Sequence, residues 1–463
     1  MKIKNKPSIL SHGDIESRKI VLDITESVLE QLDSYNRIKQ LMSLEGDILR
    51  VGTREWDLSR KKHVYLVGAG KACNHMAMAV DEVLGSRLTK GIAIVKIKED
   101  TDVFRRTEVY VGGHPLPNRD GYEASKKIIG LVDQAGPDDL FIAVISGGSS
   151  ALMCCPVDGI SLEDEILTTD VLLKSGASIR EINAVRRHIS ALNGGMLAKR
   201  IAEKGAELIG FGISDAVGNP PSEDIRQPFA GYNGTPIGPD KTTLGDARNV
   251  IRNYNVFDRL PRAVTDHIFH SGPEAETPKS FPQNTYFRIN TLPDASICAK
   301  KAAEALGIPA YILSTFLEGE AAEVGTVLAS IAREIKEYGN PFPAPCVLII
   351  GGEATTRIPD NSVIKGHGGP GQEETLSFAL SAAAIPGACL LSIDSEGTDG
   401  TTTVAGGITD STTYRTCTER GADIYEALRT HSAYEALKKA GDTVFTGNTG
   451  TNLCDINILY IPE

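Results

Sequence analysis

The residues best equipped for chemistry stand where apolar runs break into glycine. In YLVGAGKACNHMAMAV (residues 65–80) an apolar stretch turns through Gly68 and Gly70 into a helix-like segment with Lys71 near its first turn. A helix start offers free amides and a positive dipole end, and a lysine ammonium beside it adds a full charge, a combination that suits phosphate. A dinucleotide fingerprint fails here, because Cys73 occupies the third glycine position and the next strand candidate ends in Lys96, where a ribose-binding acid would be needed. A P-loop fails too, with Ala72 in place of the Ser or Thr that magnesium requires. A family-specific anion site and a plain turn with a solvated lysine both stay open.

In FIAVISGGSSALMCCP (141–156) a second apolar run opens into Ser146, Gly147, Gly148, Ser149 and Ser150. Such small residues let backbone amides and hydroxyls close around phosphate oxygens, although they could equally form only a tight turn. No GxSxG elbow is present, so a serine nucleophile is disfavoured. Asp215, in GISDAVGNPPSED (212–224), ends a strand candidate, where open α/β sheets place ligands; it could orient a hydroxyl, act as base, or merely cap a turn. Four glycine-rich loops near the C-terminus (349–358, 366–376, 392–410 and 446–461) carry Glu353, Glu373, Asp394, Asp399 and Asn452. Carboxylates above one sheet edge could hold hydrated magnesium, and any single one could be a cap. AGDTVF at 440–445 imitates the anion-hole signature of ribokinase-like sugar kinases, but it leads into GNTGTN and a terminal strand rather than a helix. His75, His114, His188 and His367 share no chelating spacing, and the eight cysteines contain no CxxC, so reduced core thiols are expected.

Positioning these loops needs alternating strands and helices. Strand candidates at 64–67, 91–96, 108–112, 140–146 and 207–213 alternate with helix candidates at 72–84, 120–135 and 162–175, the pattern of a mostly parallel, doubly wound sheet. A second series follows, with strands at 310–314, 346–351, 389–393 and 456–461 and helices at 321–338 and 374–384. Ile20, Val21, Ile24, Val28, Leu29 and Leu32 form an amphipathic helix expected to pack on the first domain. The Pro- and Gly-rich stretch 219–240 reads as a disordered connector or, in preference, a loop at a binding cleft, and 261–282 as a domain boundary. Two domains are therefore expected, 1–285 and 286–463, within a size that favours more than one core.

Composition narrows the partners. The 463 residues are 41% hydrophobic and 23% charged, as in ordinary folded proteins. Sixty acids against 48 bases give a net charge of -12 with no basic run, which argues against a nucleic-acid or anionic-membrane partner. No apolar run of about 18 residues occurs and the N-terminus lacks a signal-peptide core, so a soluble cytoplasmic protein is expected.

Taken together the motifs resemble those of the bacterial and archaeal glycerate 2-kinases, whose C-terminal half is called the MOFRL domain and which are sometimes mislabelled hydroxypyruvate reductases. VGAGKA, GGHPLPN, ISGGSSALM, IREINAVRRHIS, GISDAVG, GGEATT, GTDG, AGGITD and TGNTGTN occur in the family's order across nearly the whole chain. The resemblance implies a Rossmann-like N-terminal domain, a smaller α/β MOFRL domain, an interdomain active site, and ATP with Mg2+ or another divalent cation. It implies catalytic roles for Lys71, Asp215 and Arg186, with His188 on the same NAVRRH helix. Nucleotide contacts would come from Ser146, Gly147, Gly148, Ser149, Ser150, Glu353, Gly368, Gly369, Thr398 and Asn452, and metal contacts from Asp399 and Glu353. The expected partners are a small sugar acid and a nucleotide, with a homodimer as one possible assembly. Two cations of the family are missing: an arginine where Pro370 and Gly371 stand, and a lysine where Asn193 stands. Loss of cations near phosphates weakens transition-state stabilisation, so a different acid substrate stays open, as do an NAD-dependent hydroxypyruvate reductase and a non-catalytic ligand-binding relative.

Overall fold

The computed structural model describes residues 2–222, 224–229, 235–358 and 363–463. Part of the expected cleft loop, residues 230–234, lies outside the described residues. The chain divides into two compact units, and neither is a single run of sequence: one comprises 34–213 and 223–289, the other 1–33, 214–222 and 290–463. The expected boundary at 285/286 falls close to the last of four crossings; of the three earlier ones, only that at 222/223 lies in a stretch with a composition signal, the Pro- and Gly-rich 219–240.

The first of these units is built on a six-stranded sheet in the order Thr107–Val111, Lys90–Val95, His63–Gly70, Asp139–Ile145, Glu207–Ile213, Thr285–Asn290. The first five strands pair in parallel throughout. Parallel strands covered on both faces must be apolar on both, and His63–Gly70 and Asp139–Ile145 are accordingly buried along nearly their full length. One face of the sheet, including Val67, Ile94, Phe141 and Ala143, packs against Ala124, Ile128 and Val132 of the helix Arg119–Asp133 and against Leu197 and Ile201 of Met196–Glu203. The helix Cys73–Leu84 also packs on the sheet. The strand order reverses direction between His63–Gly70 and Asp139–Ile145, which is where such sheets open a crevice for ligands. The segment 261–282, expected to be a boundary, instead contains the helix Arg262–His270, whose Val264 and Ile268 join a core shared with Leu172, Val185 and Ile251. Its flanking Pro261 and Gly272 masked a short helix of nine residues.

The other unit holds a mixed sheet in the order Ala310–Glu320, Cys346–Thr355, Asp455–Ile461, Cys389–Asp394, Gly406–Asp410, Thr443–Val444. Only the first pair is parallel. Ala321–Tyr338 and Pro370–Ala382 pack on each other, and Phe378, Leu328 and Ile335 share a core with Leu348, Ile350 and Leu459. The N-terminal helix Ile15–Gln31 belongs here and not with the first sheet, a correction to the sequence expectation. It packs against Leu292–Ala305 and the strands Asp455–Ile461 and Cys389–Asp394. The reason is partly ionic: Arg18, fully buried, donates from Nε to Asp410 and from Nη1 to Asp442 at 2.7 Å, while His12 Nε2 lies 2.8 Å from the same Asp442. An amphipathic stripe specifies a buried face but not its partner; the buried guanidinium settles that.

Candidate active site

At the crevice of the parallel sheet, the two motifs that end adjacent strands lock together through their backbones. Ser146 N donates to Ala69 O at 3.1 Å, and Lys71 N donates to Gly147 O at 2.9 Å. Gly70 is in a left-handed conformation (φ +140°), and a Cβ there would lie 2.1 Å from Ser146 Oγ, so the close approach requires glycine. Ser146 Oγ accepts from Ala72 N at 3.0 Å, which makes this buried hydroxyl a strut between the loops. The half-buried Lys71 lies over the second loop: a Cβ on Gly148 would come within 3.0 Å of both Lys71 Cγ and His114 Cδ2. The structure therefore brings Lys71 and residues 146–150 together, and adds His114 from GGHPLPN, a residue the search for chelating spacings passed over because its relevance depends on a neighbouring glycine rather than on another ligand.

Asn193 shows what stands where the family has lysine. Its amide Nδ2 donates to Ser150 O and Met153 O, each at 3.2 Å, so it braces the loop from below without supplying charge. Arg186 is deeply buried on the helix Ile179–His188, with Nε and Nη2 lacking hydrogen-bond partners. Its charged neighbour is Glu165 on Leu162–Lys174, whose carboxyl burial pushes up to about 7 against the pull of the Arg186 guanidinium. Cys154 is also within its electrostatic reach. No sequence signal pointed to Glu165, which reads as one acid among several on an ordinary helix. His188 has a bracing environment: Nδ1 lies 2.7 Å from Ala184 O and Nε2 lies 2.9 Å from Glu276 Oε1. The adjoining Arg187 donates to buried Asp240 at 2.9 Å, and Asp240 also accepts from Thr242 at 2.8 Å and Thr277 at 3.1 Å.

The second group of candidates lies in the other unit, at one end of the mixed sheet. Asn452 Nδ2 donates to Asp215 Oδ2 at 3.1 Å across 237 residues of sequence, and Cys454 Sγ lies 2.6 Å from Asp215 O. Glu353, exposed near the end of Cys346–Thr355, pairs in register with Glu318 and lies within electrostatic reach of Cys454. The loops interlock: Leu453 N donates to Ser395 Oγ at 2.7 Å, Thr398 Oγ1 donates to Glu396 at 2.7 Å, and a Cβ on Gly397 would lie 2.0 Å from Gly447 O. Asp399 has a different task. Buried, it accepts from Gln372 N at 2.9 Å, from Gln372 Nε2 at 3.0 Å and from Gly371 N at 3.4 Å, satisfying the first-turn amides of Pro370–Ala382. Gly368 and Gly369 wrap it closely: a Cβ on Gly369 would lie 2.2 Å from Asp399 Oδ1, and Thr401 N donates to Gly368 O. Burial pushes the Asp399 carboxyl up to about 6 and Glu374 up to about 8, and Asp455 also lies well above the carboxylate range because it is buried beside Asp394 and Asp399.

These placements bear on a divalent cation. Among the described residues no three His, Cys, Asp or Glu side chains are grouped to hold a metal ion. That donor set does not fit a cage, but it fits a hydrated magnesium carried mainly by phosphates with one protein carboxylate, the usual habit of this ion. Glu353, exposed, suits that role; Asp399, enclosed and already accepting three hydrogen bonds, suits capping.

Comparison with known proteins adds independent findings. The sequence matches a domain of unknown function (DUF4147) over residues 20–269 and the MOFRL family over residues 346–455. It is 38% identical to the glycerate 2-kinase of Pyrococcus horikoshii, over 96% of this chain and 98% of that protein. It is 36% identical to the D-glycerate 2-kinase of Thermotoga maritima, over 85% of this chain and 90% of that protein. The crystal structure of a glycerate kinase from Thermotoga maritima superimposes with a TM-score of 0.76 at 33% identity, covering 96% of this chain and 99% of that one. No helix among the described residues is long and apolar enough to cross a membrane.

Proposed function

Because the chain belongs to the glycerate 2-kinase family, we propose that it transfers the γ-phosphoryl group of ATP to the C2 hydroxyl of glycerate, or of a closely related small sugar acid, giving 2-phosphoglycerate in the first case. The observation that carries this reading is the crevice in which Lys71 lies over the glycine-serine loop at the point where the parallel sheet reverses its order. A lysine beside a glycine-serine loop at such a crevice suits an anion and offers little to a neutral ligand.

In the reaction the acceptor oxygen forms a bond to the γ-phosphorus, the bond from that phosphorus to the bridging oxygen breaks, and ADP leaves with the electron pair. Lys71 and the backbone of residues 147–150 hold anionic oxygens. Asp215, its carboxylate steadied by Asn452, orients the acceptor hydroxyl and takes its proton. Magnesium, when bound, neutralises phosphate charge, and Glu353 is the residue that would hold it. Phosphoryl transfer asks little covalent chemistry of the protein, so position and electrostatics dominate the contribution of these residues.

The decisive experiment is an ADP-release screen over small sugar acids with ATP and magnesium, followed by 31P and 1H NMR of the product. ADP release with glycerate and a phosphorus coupled to the C2 proton is expected. Release with no acid tested would overturn the kinase reading, and a C3 phosphate would overturn the regiochemistry.

A further inference from the structure

The strand Ala310–Glu320 is the outer strand of the mixed sheet and runs parallel to Cys346–Thr355. Its register slips between Ser314, which faces Ile350, and Leu317, which faces Gly352. Thr315 and Phe316 thus stand against Gly351 alone, a β-bulge in a parallel pair. Bulges are uncommon in parallel pairs, and they re-aim side chains beside functional sites. Phe316 N donates to Ser314 Oγ at 3.0 Å, which holds the bulge in shape, and the Phe316 side chain is left 65% exposed.

Its surroundings are those of the second group of candidates. A Cβ added to Gly218, three residues after Asp215, would sit 3.6 Å from Phe316 Cε1, so the ring lies against the Asp215 loop at a point where that loop has no side chain. Two residues beyond Phe316, Glu318 pairs in register with Glu353. A large apolar ring is thus held outward beside bare backbone, on the strand that pairs Glu318 with Glu353. Glycerate, three carbons carrying hydroxyls and a carboxylate, has no apolar face to set against it. A purine has one.

Building on the kinase reading, we infer that Phe316 is the platform on which the base of the nucleotide stacks, and that Gly218 keeps the approach to it open. Stacking is indifferent to hydrogen-bond pattern, so Phe316 recognises a purine ring as such and selects weakly between adenine and guanine.

The test measures binding of ATP and of inorganic tripolyphosphate to the wild-type protein, Phe316→Ala and Phe316→Trp by calorimetry, with the molar mass of each in solution. Phe316→Ala is expected to weaken ATP roughly 5- to 30-fold and to leave tripolyphosphate within about twofold, with Phe316→Trp restoring ATP. Unchanged ATP binding, equal weakening of both ligands, or a changed molar mass with ATP binding intact would overturn the inference, the last by making Phe316 a contact between copies. Wild-type protein that binds ATP and releases ADP with an acid substrate, while Phe316→Ala binds ATP normally, would sink this inference alone. Absence of ADP release from wild type would sink the kinase reading, and the platform with it.

Discussion

The glycine-serine loop of the parallel sheet and the acid-rich loops of the mixed sheet are both turns at strand ends, yet they use polarity in opposite ways. In the first, side chains are small, the loop is only half-buried at Gly147, Gly148 and Ser150, and one lysine supplies the charge. In the second, carboxylates are numerous but several face inward: Asp399 caps a helix, and Glu374 and Asp455 are buried among other acids. Burial decides which of the two is chemically available. A buried carboxylate with raised affinity for its proton is structural unless a ligand reaches it, whereas a glycine-serine loop beside a lysine needs only an anion.

The sharpest way to break this contrast is at Lys71. Lys71→Ala is expected to lower kcat/KM by about 10^2- to 10^4-fold with a thermal midpoint close to wild type, since the residue is only half-buried. Near-normal turnover in a coupled ADP assay would remove the first loop from the chemistry. Arg18→Met should leave Asp410 and Asp442 buried without their cation, at a stability loss of about 3–5 kcal/mol in urea denaturation, with turnover of the folded fraction preserved.

The buried acids make a pH prediction. Glu374, raised to about 8, binds its proton more tightly in the folded than in the unfolded chain, so its contribution is fully present below about pH 4.5 and is lost as pH rises through about 8. Stability should therefore fall across that window by on the order of a few kcal/mol from this group, and Glu374→Gln should flatten the slope of denaturation midpoint against pH between about 5 and 8. An unchanged slope would place the effect elsewhere. The smallest effect is expected at Asp399: Asp399→Asn should cost about 1 kcal/mol as a weakened cap and leave the magnesium activation constant unmoved, while Glu353→Gln should raise that constant. A large shift in magnesium dependence for Asp399→Asn would reverse the two assignments.

The sequence made the parallel sheet legible because strands buried on both faces are apolar without interruption, and their ends are marked by glycine. It made the glycine-serine loop legible for the same reason. It could not show which unit the first long helix joins, because Val21, Ile24 and Val28 fit any apolar surface, and Arg18 finds its partners nearly 400 residues away, at Asp410. It could not rank the C-terminal acids, because Asp399 and Glu353 differ in enclosure rather than in local sequence. The bond from Asn452 to Asp215 was likewise hidden, each residue appearing only as one polar position in a glycine-rich loop.

The threading of the chain between the two units has a consequence for synthesis. The ribosome delivers the helix Ile15–Gln31 long before the strand Asp455–Ile461 on which it packs. Until Leu292–Ala305 emerges the apolar stripe of the helix lacks its first partner, and until Asp410 and Asp442 emerge Arg18 lacks its carboxylates, so one unit completes late and through contacts of very long sequence separation. A nascent chain halted near residue 285 would hold the five strands that pair in parallel and, well upstream of them, a helix still waiting for a sheet not yet translated.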